Sequence, residues 1–120
     1  MYIYSYISNR IEGLPMETTA ADLKSEIFDA LAHPNRIRIL ESLRRGPRCN
    51  CEIAPELGIE QSNLSRHLKI LVQAGILFSW KDGLRVNFKV VDSRTFRLLD
   101  IATALARKDV EKKAEALQEA

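Results

Sequence analysis

The chain has 120 residues and a formal net charge of +2; 46% of its residues are hydrophobic and 28% are charged. This length and composition predict one small globular domain and argue against a disordered chain. Only two cysteines occur, which argues against a disulfide-rich scaffold. No apolar run reaches the roughly 18 residues that a membrane-spanning helix needs, so we expect no membrane partner.

The first residues do not resemble a secretory signal peptide. Residues 1–15 are rich in aromatic side chains but have no basic stretch followed by a long apolar core. We therefore expect a cytoplasmic protein in which residues 1–17 form an N-terminal arm, either disordered or a short added helix. Residues 18–120 form the predicted domain, and both cysteines are expected to be free thiols.

Two helices are predicted at the start of this domain. The first follows Thr18 or Thr19, either of which can cap a helix N-terminus. The second runs from Pro34 to about Arg45, because proline is favoured in a first helical turn and Gly46-Pro47 ends the pattern.

Two further short helices are separated by a glycine. One fits Asn50 to Leu57, with Gly58 as its left-handed C-terminal cap, and the next fits Gln61 to Ala74. Two short helices joined by a tight turn are the helix-turn-helix motif.

A hairpin and a long helix complete the chain. Strand-type residues fill Ile76 to Lys81 and Arg85 to Val91, with Asp82-Gly83 as the predicted turn. The last helix runs from about Ser93 to Gln118. Its apolar residues recur at near-heptad spacing: Phe96, Leu99, Ala106, Val110 and Leu117. The predicted fold class is mainly α with a β-hairpin wing, a winged helix-turn-helix.

The basic residues are concentrated in the middle of the chain. Residues 36–97 hold twelve of the eighteen Lys and Arg residues but only six of the sixteen Asp and Glu residues. Such a distribution is expected where a protein meets phosphate groups, although solvated faces also carry these charges.

The start of the fourth helix predicts DNA reading. In a helix-turn-helix, the N-terminal half of the second helix enters the major groove, where Gln and Asn pair with adenine and Arg with guanine. An ordinary solvated face would more usually be rich in Glu and Lys, but this one has no acid after Glu60. We predict contacts with double-stranded DNA from Gln61, Ser62, Asn63, Ser65, Arg66 and Lys69.

The hairpin tip carries two cations, Lys81 and Arg85. They are predicted to contact the DNA backbone or the minor groove. A charged tip kept polar for solubility is the alternative.

Two segments resemble the ArsR/SmtB family of metal-responsive repressors: Leu31 to Leu40, and Gln61 to Ile76. The resemblance covers most of the chain. It implies a winged helix fold, a homodimer built from the first and last helices, and release from operator DNA when an inducer binds. It also implies DNA reading at Gln61, Ser62, Ser65 and Arg66; many members have His where this chain has Arg66.

Cys49 and Cys51 are the candidate inducer ligands. They lie at the start of the third helix beside Arg48, and both a helix N-terminus and a neighbouring cation favour the thiolate, the form that binds soft metals. Residues two apart in a regular helix point to nearly opposite sides, so a shared ion would require an irregular or unwound first turn.

The family comparison limits this metal site. Arsenic- and cadmium-responsive members carry a Cys-x-Cys here, but the arsenic sensors add a third cysteine where this chain has Ala54. The expected inducers are As(III), Sb(III) or a soft divalent metal such as Cd, with no obligatory cofactor. The missing ligand would be a small thiol, water or a residue from the other subunit.

The sequence gives less support to other candidate metal sites. The zinc-type members use the last helix, where Asp92 matches but Arg94, Arg107 and Val110 cannot supply the remaining ligands. His33 and His67 are interpreted as structural or phosphate-contacting residues.

Two alternatives to the metal-responsive repressor remain. The same fold could sense thiol redox state through a disulfide or persulfide, although a Cys-x-Cys disulfide closes a small ring. A winged helix could also serve as a protein-interaction module, but such a surface would expose aromatic anchors, which residues 61–69 lack. An enzyme is not expected, because no phosphate-cradling glycine loop or placed nucleophile is present.

Overall fold

The structure is a computed structural model that describes residues 16–119. Residues 1–15, where the N-terminal arm is predicted, lie outside this range. The helices are α1 (Ala20–Leu31), α2 (Pro34–Ser42), α3 (Asn50–Leu57), α4 (Gln61–Gln73) and α5 (Arg94–Glu119), and the strands are β1 (Arg48–Cys49), β2 (Leu77–Asp82) and β3 (Arg85–Val90). None of these helices is both long enough and apolar enough to cross a membrane.

Local capping fixes where α1 and α2 begin. Thr19 caps α1: its side chain accepts from the Asp22 amide at 3.1 Å, and the Asp22 carboxylate accepts from the Thr19 amide at 2.9 Å. The carboxylate also accepts from the Thr19 hydroxyl at 2.9 Å, and the two hydrogen bonds that it accepts lower the pKa of Asp22. His33 caps α2, its Nδ1 accepting from the Asn35 amide at 3.0 Å.

The second helix is shorter than predicted. It ends at Ser42 rather than near Arg45 because the amides of Leu43 and Arg44 bond to carbonyls three residues back, which tightens the last turn. Gly58, at φ +65°, ends α3 as expected, and Arg38 of α2 donates to the Leu57 carbonyl at 2.7 Å. The Arg38 hydrogen bond ties the end of α3, the first helix of the helix-turn-helix, to α2.

The sheet has three antiparallel strands in the order β1-β3-β2. The two-residue strand β1 was not predicted, because two residues carry no periodicity. The hairpin turn is also one residue later than predicted: Asp82 is the last residue of β2 and pairs with Arg85, so Gly83 and Leu84 form the turn. Gly83, with φ +64°, supplies the positive φ that a tight hairpin needs.

The core lies between the helices and one face of the sheet. Its most buried side chains, Ile39, Leu40, Ile53, Leu64, Leu71 and Leu77, come from α2, α3, α4 and β2. Helix α5 joins the core at Leu99 and is tied to the end of α2 by Arg44, whose guanidinium is 2.6 Å from the Asp100 carboxylate and 5.1 Å from the Phe96 ring centre.

The predicted apolar seam of α5 is buried only at its start. Leu99 is buried and Phe96 packs on the core. Ala106, Val110 and Leu117 are exposed, because the second half of α5 extends beyond the other helices and the sheet.

Candidate nucleic-acid interface and cysteine site

Helix α4 has one polar exposed face and one buried face. Successive residues turn by about 100° in an α-helix, which places the five exposed polar residues on an arc of about 140°. Leu64, His67, Leu68 and Leu71 face inward on the opposite side. The exposed set is Gln61, Ser62, Ser65, Arg66 and Lys69, all predicted DNA contacts.

Asn63 differs from the other predicted contacts. It is half-buried at the edge of this arc, and its Oδ1 accepts from Arg66 Nη2 at 2.8 Å. Asn63 therefore orients Arg66 in the described state. Ser62 is similarly engaged, since its hydroxyl donates to Glu60 Oε1 at 3.0 Å.

His67 is buried and lies against His33, with ring centres 4.4 Å apart. Burial, followed by the charges of His33, Arg36 and Arg66, lowers the pKa of His67. Its Nδ1 has no hydrogen-bond partner among the described residues. Of the two roles predicted for His67, this position supports the structural one, because a buried ring is out of reach of a phosphate.

The two wing cations lie on opposite faces of the hairpin. Lys81 pairs with Val86 and Arg85 with Asp82 in the strand register, and side chains of neighbouring strand residues alternate between faces. Both side chains are exposed. They therefore do not form one cationic patch.

The structure brings the two cysteine sulfurs together. Cys49 is the N-cap of α3 with extended backbone (φ −86°, ψ 157°), while Cys51 lies in the first helical turn. Their Cα atoms are 5.2 Å apart, and the sulfurs are joined as a disulfide rather than standing as the predicted free thiols. Because Cys49 precedes the helix, the sulfurs meet without any unwinding of the first turn. The start of α3 is thus irregular at Cys49, one of the two conditions under which both sulfurs were expected to share a ligand.

The cation beside the sulfurs is Arg85 and not the predicted Arg48. Arg48 pairs with Glu56 of α3. Arg85 Nη2 is 3.7 Å from each cysteine Sγ and 3.7 Å from Glu52 Oε1, which also accepts from the Cys49 amide at 3.1 Å.

The start of α5 is occupied by an ion pair. Arg94 donates to Asp92 at 2.6 Å, and these hydrogen bonds lower the pKa of Asp92 to about 2. Within residues 16–119, no group of three or more His, Cys, Asp or Glu side chains is arranged to hold a metal ion.

The helix-turn-helix region matches the model of a known family. Residues 33–78 match the HTH_5 family, "Bacterial regulatory protein, arsR family". The chain is also 35% identical over 88 residues to a Streptomyces lividans protein described as a "Probable mercury resistance operon repressor", covering 73% of this chain and 70% of the relative. The chain belongs to the ArsR family of bacterial regulatory proteins. As predicted, this ArsR-family chain is a transcriptional regulator and not an enzyme.

Solved structures agree on the fold. The crystal structure of Rv0081 from Mycobacterium tuberculosis has 32% identity and a TM-score of 0.71, covering 82% of this chain and 99% of that one. The homodimeric winged helix-turn-helix DNA-binding domain of Mb0332 from Mycobacterium bovis has 25% identity and a TM-score of 0.68, covering 80% and 90%. The predicted winged helix-turn-helix is confirmed.

Sequence reasoning missed the contact between Arg85 and the sulfurs. The residues are 34 and 36 positions apart, and only the pairing of β1 with β3 brings them together. A register argument could have found it had β1 been predicted.

Proposed function

We propose that this ArsR-family regulator is a homodimeric repressor that reads operator DNA with α4 and is released when a thiophilic metal or metalloid binds Cys49 and Cys51. The observation that carries the proposal is the meeting of both sulfurs at the start of α3, the helix that packs against α4. A ligand on this pair acts at the first half of the helix-turn-helix.

The exposed arc of α4 supplies the DNA-reading chemistry. Gln61 and Arg66 can form bidentate hydrogen bonds with base edges, while Ser62, Ser65 and Lys69 can reach either bases or phosphates. The wing adds Lys81 and Arg85, and Asn63 positions Arg66.

Exposed apolar residues on α1 and α5 support the homodimer. An open groove between these helices is lined by Ile27, Leu98 and Ile101. Phe28 is 57% exposed and Leu105 is 68% exposed. Exposing such apolar side chains to water is unfavourable for a monomer. A second copy would cover the same residues on both subunits, as a two-fold interface requires.

The cysteine pair suits a ligand that needs two sulfurs. Thiolates bind soft ions, and the described residues offer no third side chain in an arranged group. A mercuric ion or a trivalent arsenical with two replaceable oxygen ligands meets that condition, and arsenite or antimonite would need an added small thiol. The S. lividans relative described as a "Probable mercury resistance operon repressor", at 35% identity, supports a thiophilic inducer.

The test is fluorescence anisotropy of the reduced protein on labelled DNA from its own promoter, titrated with phenylarsine oxide, mercuric ion, arsenite, cadmium and zinc. We expect release by the thiophilic probes and none by zinc. Cys49→Ser and Cys51→Ser should bind DNA as the parent does and resist release. Normal release from either variant, or DNA binding that no probe disturbs, would contradict the metal-responsive part of the proposal.

A second candidate signal is favoured by the joined sulfurs. An oxidant such as hydrogen peroxide takes the hydrogens of the two thiols and is reduced to water, leaving the Cys49–Cys51 disulfide. If this is the signal, peroxide should release the parent from DNA and dithiothreitol should restore binding. Unchanged DNA affinity after disulfide formation, verified by mass spectrometry, would exclude it.

A further inference from the structure

The two sulfurs of the Cys49–Cys51 disulfide differ in their access to solvent. Cys49 is 0% exposed, whereas Cys51, in the first turn of α3, is exposed. A thiolate that attacks a disulfide approaches one sulfur from the side opposite the other, because the bond that forms lies in line with the bond that breaks. Such an approach needs an exposed sulfur, so an external thiol reaches Cys51 and not Cys49.

Arg85 lies beside both sulfurs while they are joined. Its Nη2 is 3.7 Å from each Sγ. A disulfide sulfur is neutral and accepts hydrogen bonds only weakly, so this contact contributes little while the bond is intact. When the bond breaks, one sulfur keeps both electrons and becomes a thiolate, which accepts a much stronger hydrogen bond from a guanidinium. The cation is therefore already in place for the charge that develops during reduction.

Two further groups act on a charge at Cys49. Cys49 is the N-cap of α3, and the amides of the first helical turn favour a negative charge at that position. The Glu52 carboxylate opposes it, since its Oε1 accepts from the Cys49 amide at 3.1 Å. Arg85 Nη2 is also 3.7 Å from Glu52 Oε1. Without Arg85, a new thiolate at Cys49 would meet the Glu52 charge uncompensated.

We propose that Cys51 is the site at which a small thiol attacks this protein and that Arg85 stabilises Cys49 as the leaving thiolate. The sulfur of the attacking thiolate bonds to Cys51 Sγ, the Cys49–Cys51 bond breaks, and its electron pair stays on Cys49 Sγ. A second thiolate then attacks the sulfur of the first and releases Cys51. The two small thiols are oxidised to one disulfide, and the protons they lose end on Cys49 and Cys51.

This reaction is the return half of the redox signal proposed above. The inference rests on that proposed signal only for its consequence on DNA binding, because the exchange of sulfurs can be followed on the oxidised protein without DNA. A failure of the exchange chemistry and a failure of the DNA response therefore give different results.

The first experiment times the reduction of the oxidised full-length parent, Arg85→Gln, Arg85→Lys and Lys89→Gln. Lys89→Gln is the matched control, because Lys89 lies on the same face of β3 as Arg85 but its Nζ is over the Phe78 and Trp80 rings. Dithiothreitol is the reductant, since it carries no charge apart from its thiols. Samples are quenched at intervals with N-ethylmaleimide, and the labelled thiols are counted by mass spectrometry.

We expect Arg85→Gln to be reduced about 3- to 10-fold more slowly than the parent, because a thiolate without an adjacent cation leaves less readily. Arg85→Lys keeps the charge and should stay closer to the parent. Lys89→Gln should match the parent. Reduction of Arg85→Gln at the parent's rate would overturn the role of Arg85, and so would an equal slowing of Lys89→Gln.

The second experiment identifies the sulfur that is attacked. The oxidised parent is mixed with glutathione and quenched in acidic N-ethylmaleimide, and peptide fragment masses assign each modification. We expect glutathione on Cys51 and the maleimide on Cys49. Reduced Cys49→Ser, which retains Cys51, should also react with glutathione disulfide faster than Cys51→Ser does. Glutathione on Cys49, or the reverse order of the two variants, would overturn the assignment.

Promoter DNA affinity of the oxidised and reduced parent separates this inference from the redox signal. If both forms bind equally while glutathione is found on Cys51 and Arg85→Gln is reduced slowly, the inference stands and the redox signal fails. Thermal unfolding identifies any variant that does not fold. If Arg85→Gln is one of them, Arg85→Ala takes its place in the rate comparison.

Discussion

The His67 ring of α4 packs against the His33 ring at the start of α2, with ring centres 4.4 Å apart and an interplanar angle of 48°. Burial and the nearby His33, Arg36 and Arg66 lower the pKa of His67, so the folded protein resists a proton that the unfolded chain accepts near pH 6.5. Stability from this neutral ring is fully present above about pH 6.5 and is lost as the pH falls through the lower folded pKa.

Replacing His67 with Gln removes this titration. We expect the free energy of unfolding of the parent to decrease between about pH 7 and pH 5, and that of His67→Gln to decrease less over the same interval. Urea denaturation at several pH values measures both slopes. Parallel slopes would assign the acid sensitivity to other groups.

Substitution of Gly58 should destabilise the protein because of the backbone conformation at this position alone. Its φ is +65°, and a Cβ built there meets no heavy atom within 4 Å. Gly58→Ala should therefore destabilise the fold by about 1 kcal/mol, the usual cost of a left-handed conformation for a residue with a side chain. Gly58→Asn should cost less, because Asn tolerates this region better. Chemical denaturation measures both, and a loss well above this value in Gly58→Ala would indicate a steric clash instead.

The dimer face can be tested with two exposed leucines. Leu105 of α5 is 68% exposed and Leu84 of the hairpin turn is 103% exposed. We expect Leu105→Glu to shift the protein from dimer to monomer in sedimentation velocity, because two copies of the new charge would meet across the two-fold interface. Leu84→Glu should leave the dimer intact. If both variants stay dimeric, the interface lies elsewhere.

Residues of the α4 arc should separate into two kinds in DNA binding. Lys69→Ala should weaken binding to operator and unrelated DNA alike and reduce the slope of log affinity against log salt by about one, as expected for a phosphate contact. Gln61→Ala should cost about 1–3 kcal/mol on the operator and little on unrelated DNA, as expected for a base contact. Fluorescence anisotropy at several salt concentrations distinguishes the two patterns, and equal losses on both DNAs for Gln61→Ala would place it on the backbone.

The sequence was sufficient for features that depend on local physical chemistry. The capping residue Thr19, the proline that opens α2 and the glycine that ends α3 mark helix boundaries through interactions within a few residues. The polar face of α4 follows from the helical period, and the winged helix follows from the order of the elements.

The sequence was insufficient where the outcome depends on distant contacts. Strand β1 was missed because its hydrogen-bond partners lie in β3. The end of α2 and the hairpin turn were misplaced by a few residues for a different reason, since single hydrogen bonds between near neighbours decide them and no residue type marks such bonds. The exposed stripe of Leu98, Ile101 and Leu105 was likewise not predicted, since a sequence pattern does not reveal which apolar residues the chain itself covers.

The cysteine site shows most clearly which features follow from the sequence and which depend on the tertiary structure. Its two sulfurs were evident from a spacing of two residues, and so was its position at a helix start. The cation at that site depended on the pairing of β1 with β3, which places Arg85 beside the sulfurs while Arg48 pairs with Glu56. The sequence by itself determined the chemical groups and the helices that carry them, because those follow from short-range propensities. The tertiary structure decided which charge faces which group, because charges interact through space and not along the chain.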